Sequence, residues 1–276
     1  MKGRIVGRNA RGLRILGRGI LSGEDYPHRS GHLIALTGDS SDVLIEGVTL
    51  VASPQFFIVT GDRSIVRNVK MMGWYFNTDG VGTGKNSLVE RCFFKCNDDA
   101  VKLYRSGMTV RDCVIWQMEN GAPFQISWNM NSDNHGFRVT NIDIIRVEHE
   151  WNNDNEAVFD SIHGGAGHMS DYLFENIRIE NAAWRLINLT IQKNEFAHSR
   201  TMGRISNLVF RNIEVAGPMS QPNTIRGFDA DHRIENVLFE NVRVNGVWWR
   251  DAASANLQAD PATTGKIRFR VTDTPE

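Results

Sequence analysis

Apolar and polar positions alternate along most of this chain, and the alternation itself recurs. Eight segments share one pattern of apolar, any, often Asn, apolar, any, apolar. They are LIEGVTL (44–50), IVRNVKM (65–71), LVERCFF (88–94), TVRDCVI (109–115), RVTNIDI (138–144), LFENIRI (173–179), VFRNIEV (209–215) and LFENVRV (238–244). Their starts lie 21, 23, 21, 29, 35, 36 and 29 residues apart, and a weaker copy, LRILGRGIL (13–21), precedes them. Period-2 alternation rich in Val, Ile, Leu and Phe predicts strands, and no stretch carries a helical period. One short strand-dominated unit of variable length, repeated at this spacing, predicts an all-β solenoid, a parallel β-helix. The fourth position holds Gly47, Asn68, Arg91, Asp112, Asn141, Asn176, Asn212 and Asn241. Asn there fits a turn, because it tolerates left-handed backbone and its amides can bond along a stack.

The fifth position holds Val48, Val69, Cys92, Cys113, Ile142, Ile177, Ile213 and Val242, which should point inward. Cys92 and Cys113 would then stack on adjacent rungs; a disulfide is geometrically open to them, and small buried hydrophobes are the favoured reading. The repeat implies one domain over 1–276, with rungs over about 12–250 and a C-terminal cap and tail over 251–276 that ends in the strand-like KIRFRV (266–271). The 276 residues therefore make roughly nine or ten rungs rather than two domains.

Composition narrows the partners. Lys and Arg number 31 against 32 Asp and Glu, a net charge of 31 − 32 = −1, which argues against nucleic acid as a partner. No run of 18 apolar residues predicts a membrane span, and Met1 to Leu16 has no apolar core of a signal peptide. The eight histidines form no metal-binding spacing, and the glycines between His163 and His168 form no phosphate loop. Neither a metal nor a cofactor is expected.

Two acidic clusters carry the candidate chemistry: Asn77-Thr78-Asp79-Gly80 and Asn97-Asp98-Asp99-Ala100, with Lys102 and Tyr104 close behind. Each alone is an ordinary turn sequence. They lie 19 to 20 residues apart, about one rung, so a β-helix brings Asp79, Asp98 and Asp99 together on one face. Crowded carboxylates separate in pKa, and such pairs supply the acid and the base of glycosidic hydrolysis. Lys102 would offset part of the charge and donate a hydrogen bond to the acid or to a sugar hydroxyl. Trp74, Tyr75 and Phe76 lead into the first cluster, and Trp116 and Trp128 follow the second; flat rings make platforms for sugars. Phe76 and Trp116 suit core positions equally well, and Trp128 is expected to be exposed.

Four segments resemble glycoside hydrolase family 49, the dextranases and isopullulanases: GRGILSGEDY (17–26), GWYFNTDG (73–80), NDDAVKLYRS (97–106) and IWQMENGAPFQISW (115–128). EHEWNNDNEAV (148–158) resembles a later segment of that family. The resemblance implies a right-handed parallel β-helix and an inverting hydrolase of α-glucans such as dextran or pullulan. Asp98 would be the general acid, and Asp79 and Asp99 the pair that holds and deprotonates water, with ~6.5–9.5 Å between acid and base. Trp74, Tyr75, Lys102, Tyr104, Gln125, Trp128, His149 and Asn155 would contact the polysaccharide, although His149 and Asn155 suit a loop-bonding role as well. Asp98 and Asp99 are sequence neighbours, which point to opposite faces of an ideal strand; a bend over Asn97–Ala100 is therefore expected.

Pectin-cleaving family 28 shares a similar Asp pattern, but Gly107 is followed by Met108 where that family has His, and Ile205 by Ser206 where it has Lys. A neutral glucan is thus favoured over polygalacturonate. A non-catalytic carbohydrate-binding β-helix is the third reading, disfavoured because a binder has no need of three crowded carboxylates. The resemblance further implies a secreted enzyme and an N-terminal β-sandwich that is not expected here; the uncovered first rung would then invite self-association.

Overall fold

The structure is a computed structural model that describes residues 1–149 and 156–272. It is a right-handed parallel β-helix, and among the described residues no helix is long and apolar enough to cross a membrane. One sheet stacks ten strands in chain order, from Ile5–Arg8 through Val81–Gly82, Val101–Lys102 and Phe124–Gln125 to Leu257–Ala259. The second sheet stacks Arg14–Leu16, Leu44–Glu46, Ile65–Arg67 and Leu88–Glu90 onto the longer strands Thr109–Gln117, Asn134–Val147, His168–Ile179, Arg204–Val215 and Ile234–Val244. A third face, formed by Ile20–Ser22, Thr49–Val51, Lys70–Met72 and Phe93–Cys96 on the first four rungs, merges into Thr109–Gln117 on the fifth.

The bends between these faces lie where the repeat predicts them. All eight fourth-position residues have positive φ, from 50° at Asn68 to 81° at Gly47. Every one is preceded, five residues earlier, by a second left-handed residue: Asp42, Arg63, Asn86, Gly107, Gly136, Asp171, Asn207 and Asn236. Each rung thus carries two left-handed corners that bracket one short strand. Amides climb both columns: Asn241 Nδ2 donates to Asn212 Oδ1 at 3.1 Å and Asn212 Nδ2 to Asn176 Oδ1 at 3.0 Å, while Asn236 and Asn207 bond alike at 3.1 Å.

The bracketed strand places like positions in register, and their charges alternate. Glu46, Arg67, Glu90 and Arg111 stack in one file, and Glu175, Arg211, Glu240 and Arg270 in its continuation. Glu90 accepts from Arg67 Nε and Arg111 Nη2, both at 2.6 Å. In a parallel stack each side chain meets its counterpart ~4.8 Å away, so alternation of sign is the arrangement that avoids like-charge contact.

Inside, Val69, Cys92, Cys113, Ile142, Ile177, Ile213 and Val242 are buried as expected. Cys92 and Cys113 are free thiols: the backbone N–H of Cys92 meets Cys113 Sγ at 3.5 Å. Phe174, Phe210, Phe239 and Phe269 form a file of stacked rings 5.1–5.3 Å apart. The repeat extends further than its sequence pattern. Leu257–Ala259 and Ile267–Arg270 add a parallel strand to each sheet, so the segment after 250 is another rung rather than only a cap. At the other end Val6, Leu16 and Ile20 of the first rung are exposed.

Candidate active site

The third corner of each rung, where the chain returns to the ten-stranded sheet, is a loop of variable length. Three consecutive corners build the site: 73–80, 97–100 and 118–123. The chain leaves strand Phe93–Cys96, bends through Asn97–Ala100 and re-enters at Val101–Lys102. That bend turns both Asp98 and Asp99 away from the apolar interior, as two adjacent carboxylates in one cleft require. Close stacking of the corners depends on glycine. A Cβ on Gly80 would lie 2.2 Å from the carbonyl of Ala100; one on Gly121, at φ +75°, would lie 2.3 Å from the amide N of Asp99.

Asp79, Asp98 and Asp99 converge, with one oxygen from each within 4.8 Å of the others. That approach is shorter than the ~6.5–9.5 Å associated with an acid and base across an attacking water. Asp79 and Asp99 are both 2% exposed. Lys102 Nζ lies between them, 2.7 Å from Asp79 Oδ2 and in hydrogen-bond contact with Asp99 Oδ2. Asp99 Oδ1 accepts from the backbone of Ala122 at 3.0 Å. Among the described residues Asp98 makes no ion pair, and it is only half-buried. Its Oδ2 accepts from Asn77 Nδ2 at 3.3 Å and Asn120 Nδ2 at 3.1 Å, and its Oδ1 from the Asp99 N–H at 2.8 Å.

Burial, and next the Asp99 charge, push the Asp98 carboxyl up to about 6. Burial also pushes Asp79 up, against the pull of Lys102 and with the push of Asp98 and Asp99. Burial opposes the charge on Lys102, but Asp79 and Asp99 outweigh it and hold the ammonium above the ordinary lysine range. The cluster therefore retains a proton in mildly acidic solution, shared among interacting carboxyls.

The other expected contacts separate into two groups. Trp74 is 55% exposed beside the cluster, and Tyr75 stacks on His28 at 3.6 Å between centroids. Phe76 is exposed, with Arg29 over its ring, so it belongs to the ledge and not to the core. Trp116 is half-buried; Lys95 Nζ covers its face at 3.9 Å, and its indole N–H donates to Glu148. Tyr104 lines the Lys102 ammonium, and its buried hydroxyl has no hydrogen-bond partner among the described residues.

Three expected contacts are placed elsewhere. Gln125 follows Lys102 in register on the same sheet face, but it is 1% exposed and its amide donates to Asp160 Oδ2 at 2.8 Å. His149 is also 1% exposed; its Nε2 pairs with the Gly121 carbonyl at 2.7 Å, and burial pushes its pKa down to about 4. It is a neutral clamp on the Gly121 corner. Trp128 is half-buried, edge-on against Phe196 at 5.3 Å, in a bend beyond the strand Phe124–Gln125. Asn155 lies outside the described residues.

Sequence reasoning assigned no role to the asparagines of the corners. Asn77, Asn97 and Asn120 follow at 20 and 23 residues, the rung spacing, and that file was the available signal. Asn97 Nδ2 donates to the Trp74 carbonyl, and its Oδ1 accepts from the Asn120 N–H, so it ties the three corners together. Gln117 Nε2 adds bonds to the Asp98 and Asn120 carbonyls. Asp160, wholly buried between Gln125 and Asn188, was also missed; burial pushes it up to about 8.

No protein-family model matches the chain. It is 30% identical to a dextranase of Arthrobacter sp. (strain CB-8) over 210 residues, which is 62% of this chain and 32% of that protein. It is 21% identical to an isopullulanase of Aspergillus niger over 238 residues, 72% of this chain and 41% of that protein. The chain spans about a third of the length of the dextranases it matches. Among solved structures, Dex49A from Penicillium minioluteum superposes with a TM-score of 0.80 at 20% identity, covering 97% of this chain and 52% of that one. An exopolygalacturonase from Thermotoga maritima superposes with a TM-score of 0.62 at 15% identity, covering 87% of this chain and 55% of that one.

Proposed function

We propose that this chain, a relative of the glycoside hydrolase family 49 dextranases and isopullulanase, is itself a glycoside hydrolase acting on an α-glucan of the dextran or pullulan type. The observation that carries the reading is the division of labour among three converging carboxyls. Asp79 and Asp99 are bonded to Lys102, whereas Asp98 is half-buried, makes no ion pair among the described residues and is pushed up to about 6. Asp98, the more exposed of the three and the one not bonded to Lys102, is the group placed to present a proton to a leaving glycosidic oxygen. Asp79 and Asp99 hold a water and take its proton. General acid and base contributions of this kind are worth about 10²–10⁴ in rate each. Trp74, Tyr75 and Phe76 form the apolar ledge on which a sugar ring would lie.

Inversion of the anomeric centre is part of the proposal. A retaining course, in which a carboxylate attacks the sugar, has one observation in its favour, the approach of the carboxyl oxygens to within 4.8 Å. Pectin hydrolysis has less support. Arg204 of the Gly203-Arg204-Ile205 segment is exposed and bonded to the Asp231 carbonyl, and Met108 is fully buried, so neither offers a clamp for a galacturonate carboxylate. An extracellular location is proposed on kinship alone.

The deciding experiment measures reducing-sugar release from dextran, pullulan and polygalacturonate, with proton NMR of the first product anomer. Release from an α-glucan with inversion, and its loss in Asp98→Asn, is the expected result. Undiminished release by Asp98→Asn would remove the acid assignment, and release from polygalacturonate alone would replace the substrate.

A further inference from the structure

Lys102 was expected to offset carboxylate charge and to contact substrate, and the structure commits it to the carboxylates. Its stem leaves the ten-stranded sheet on the rung of Asp98 and Asp99. Its Nζ reaches down one rung to Asp79 Oδ2 at 2.7 Å and across to Asp99 Oδ2. The side chain is 13% exposed. Two ring faces also flank the ammonium, Phe56 with its centroid at 5.0 Å and Tyr104 at 5.6 Å. Two carboxylates and two aromatic faces make a cage shaped for one compact cation. A lysine so enclosed has little left to offer a sugar hydroxyl.

We infer that Lys102 is a positioning residue, the resident cation that locks Asp79 to Asp99 across two rungs and so fixes the pair that takes the water. The inference rests on the hydrolase reading for its kinetic consequence, but the ion pair itself is independent of that reading. Coulomb attraction across a partly desolvated gap is strong, and removal of one partner leaves like charges facing each other. Without the ammonium, Asp79 and Asp99 repel, part in angle, and resist ionising together.

The test compares the full chain with Lys102→Met, Lys102→Arg and Lys102→Ala, the last with and without ethylammonium in the buffer. For Lys102→Met, kcat on the glucan falls about 100-fold while KM stays within about threefold. The acid limb of its pH profile moves to higher pH, because the base pair now ionises later. Ethylammonium restores part of the lost kcat to Lys102→Ala, and Lys102→Arg, too broad for the cage, recovers less. A raised KM with unchanged kcat and an unmoved pH profile would make Lys102 a substrate contact and overturn the inference. Thermal unfolding supplies a readout without substrate. The midpoint of Lys102→Met should fall progressively further below that of the unaltered chain between pH 4 and pH 8, as the carboxylates ionise without their cation. A gap independent of pH would overturn the ion-pair role even in a chain that hydrolyses no glucan, and a widening gap in an inactive chain would uphold the pairing and reject only the hydrolase reading.

Discussion

Asn77 and Asp98, 21 residues apart in sequence, meet across one rung: the amide Nδ2 donates to carboxyl Oδ2 at 3.3 Å. Arg29 Nε in turn donates to Asn77 Oδ1 at 2.9 Å, which fixes which end of the amide faces the acid. The bond favours the charged carboxylate, so its loss raises the Asp98 pKa. Asn77→Ala should move the alkaline limb of the pH profile up by about 0.5–1 pH unit and lower kcat about tenfold through looser positioning. An alkaline limb that stays in place would show that Asn77 does not touch the acid in solution.

The pH dependence of the unaltered chain follows from the same carboxyl. Asp98 is protonated below about 6 and loses its proton above it. As a general acid it must carry that proton, so kcat/KM should decline as pH rises through about 6, and the optimum should lie on the acidic side. A rate that climbs from pH 6 to pH 8 would exclude Asp98 as the acid. The profile is read most directly from initial rates of reducing-sugar release at constant ionic strength.

Asp160 supplies a stability prediction. Its carboxyl is pushed from 3.8 to about 8 by burial, although Asn188 and Gln125 donate to it at 2.7 and 2.8 Å. A carboxyl whose folded pKa is raised favours folding most at low pH. Stability is then lost as pH rises from about 4 to about 8, by on the order of 1.4 kcal/mol per pH unit. Asp160→Asn keeps the shape, and one amide flip satisfies both neighbours. The variant should match the parent near pH 4 and exceed its unfolding midpoint at pH 8. Equal midpoints at both values would mean that Asp160 is not buried as a neutral acid.

The ring file predicts a large core effect. Phe210 stacks on Phe174 at 5.1 Å and on Phe239 at 5.2 Å, and is 1% exposed. Phe210→Ala should cost about 3–5 kcal/mol in urea unfolding, with Phe210→Leu well below that. A loss under about 1 kcal/mol would indicate that the rungs close over the gap.

Asn212 sits at φ 52° in the middle of its amide column. Asn212→Ala should cost about 1–2 kcal/mol for forcing a side chain without local bonding into the left-handed region, and Asn212→Gly less. Equal losses in the two variants would assign the effect to the amide bonds instead of the backbone.

The column that contains Asn212 was legible before any coordinates, because it repeats with apolar partners on both sides. The second column, five residues upstream, was not. It holds Arg63, Asn86, Gly107 and Asp171 in turn, residues that share a backbone angle and little else. The alternating file from Glu46 to Arg270 was hidden for a similar reason, since opposite charges on successive rungs do not look like a repeat. At the site, the rung spacing brought Asp79, Asp98 and Asp99 together correctly. Gln125 entered by resemblance, and neither that nor its register with Lys102 reports that it is covered. The neighbouring Asp160 and Asn188 are buried on the same side, and there Gln125 became a partner of Asp160 instead of a sugar. His149 was drawn from a loop, where no periodicity reports burial.

The corners that carry the carboxylates are graduations on a ruler. Asp79 belongs to one rung, and Asp98 and Asp99 to the next, so strand spacing sets their separation before any side chain is chosen. Neighbouring marks stand ~4.8 Å apart and the next ~9.6 Å. A carboxylate moved one corner onward, to the place of Asn120, would therefore shift by a whole division. A catalytic pair on such a scaffold is tuned coarsely in integer steps by the choice of rung, and finely only by the bends and lengths of the corner loops.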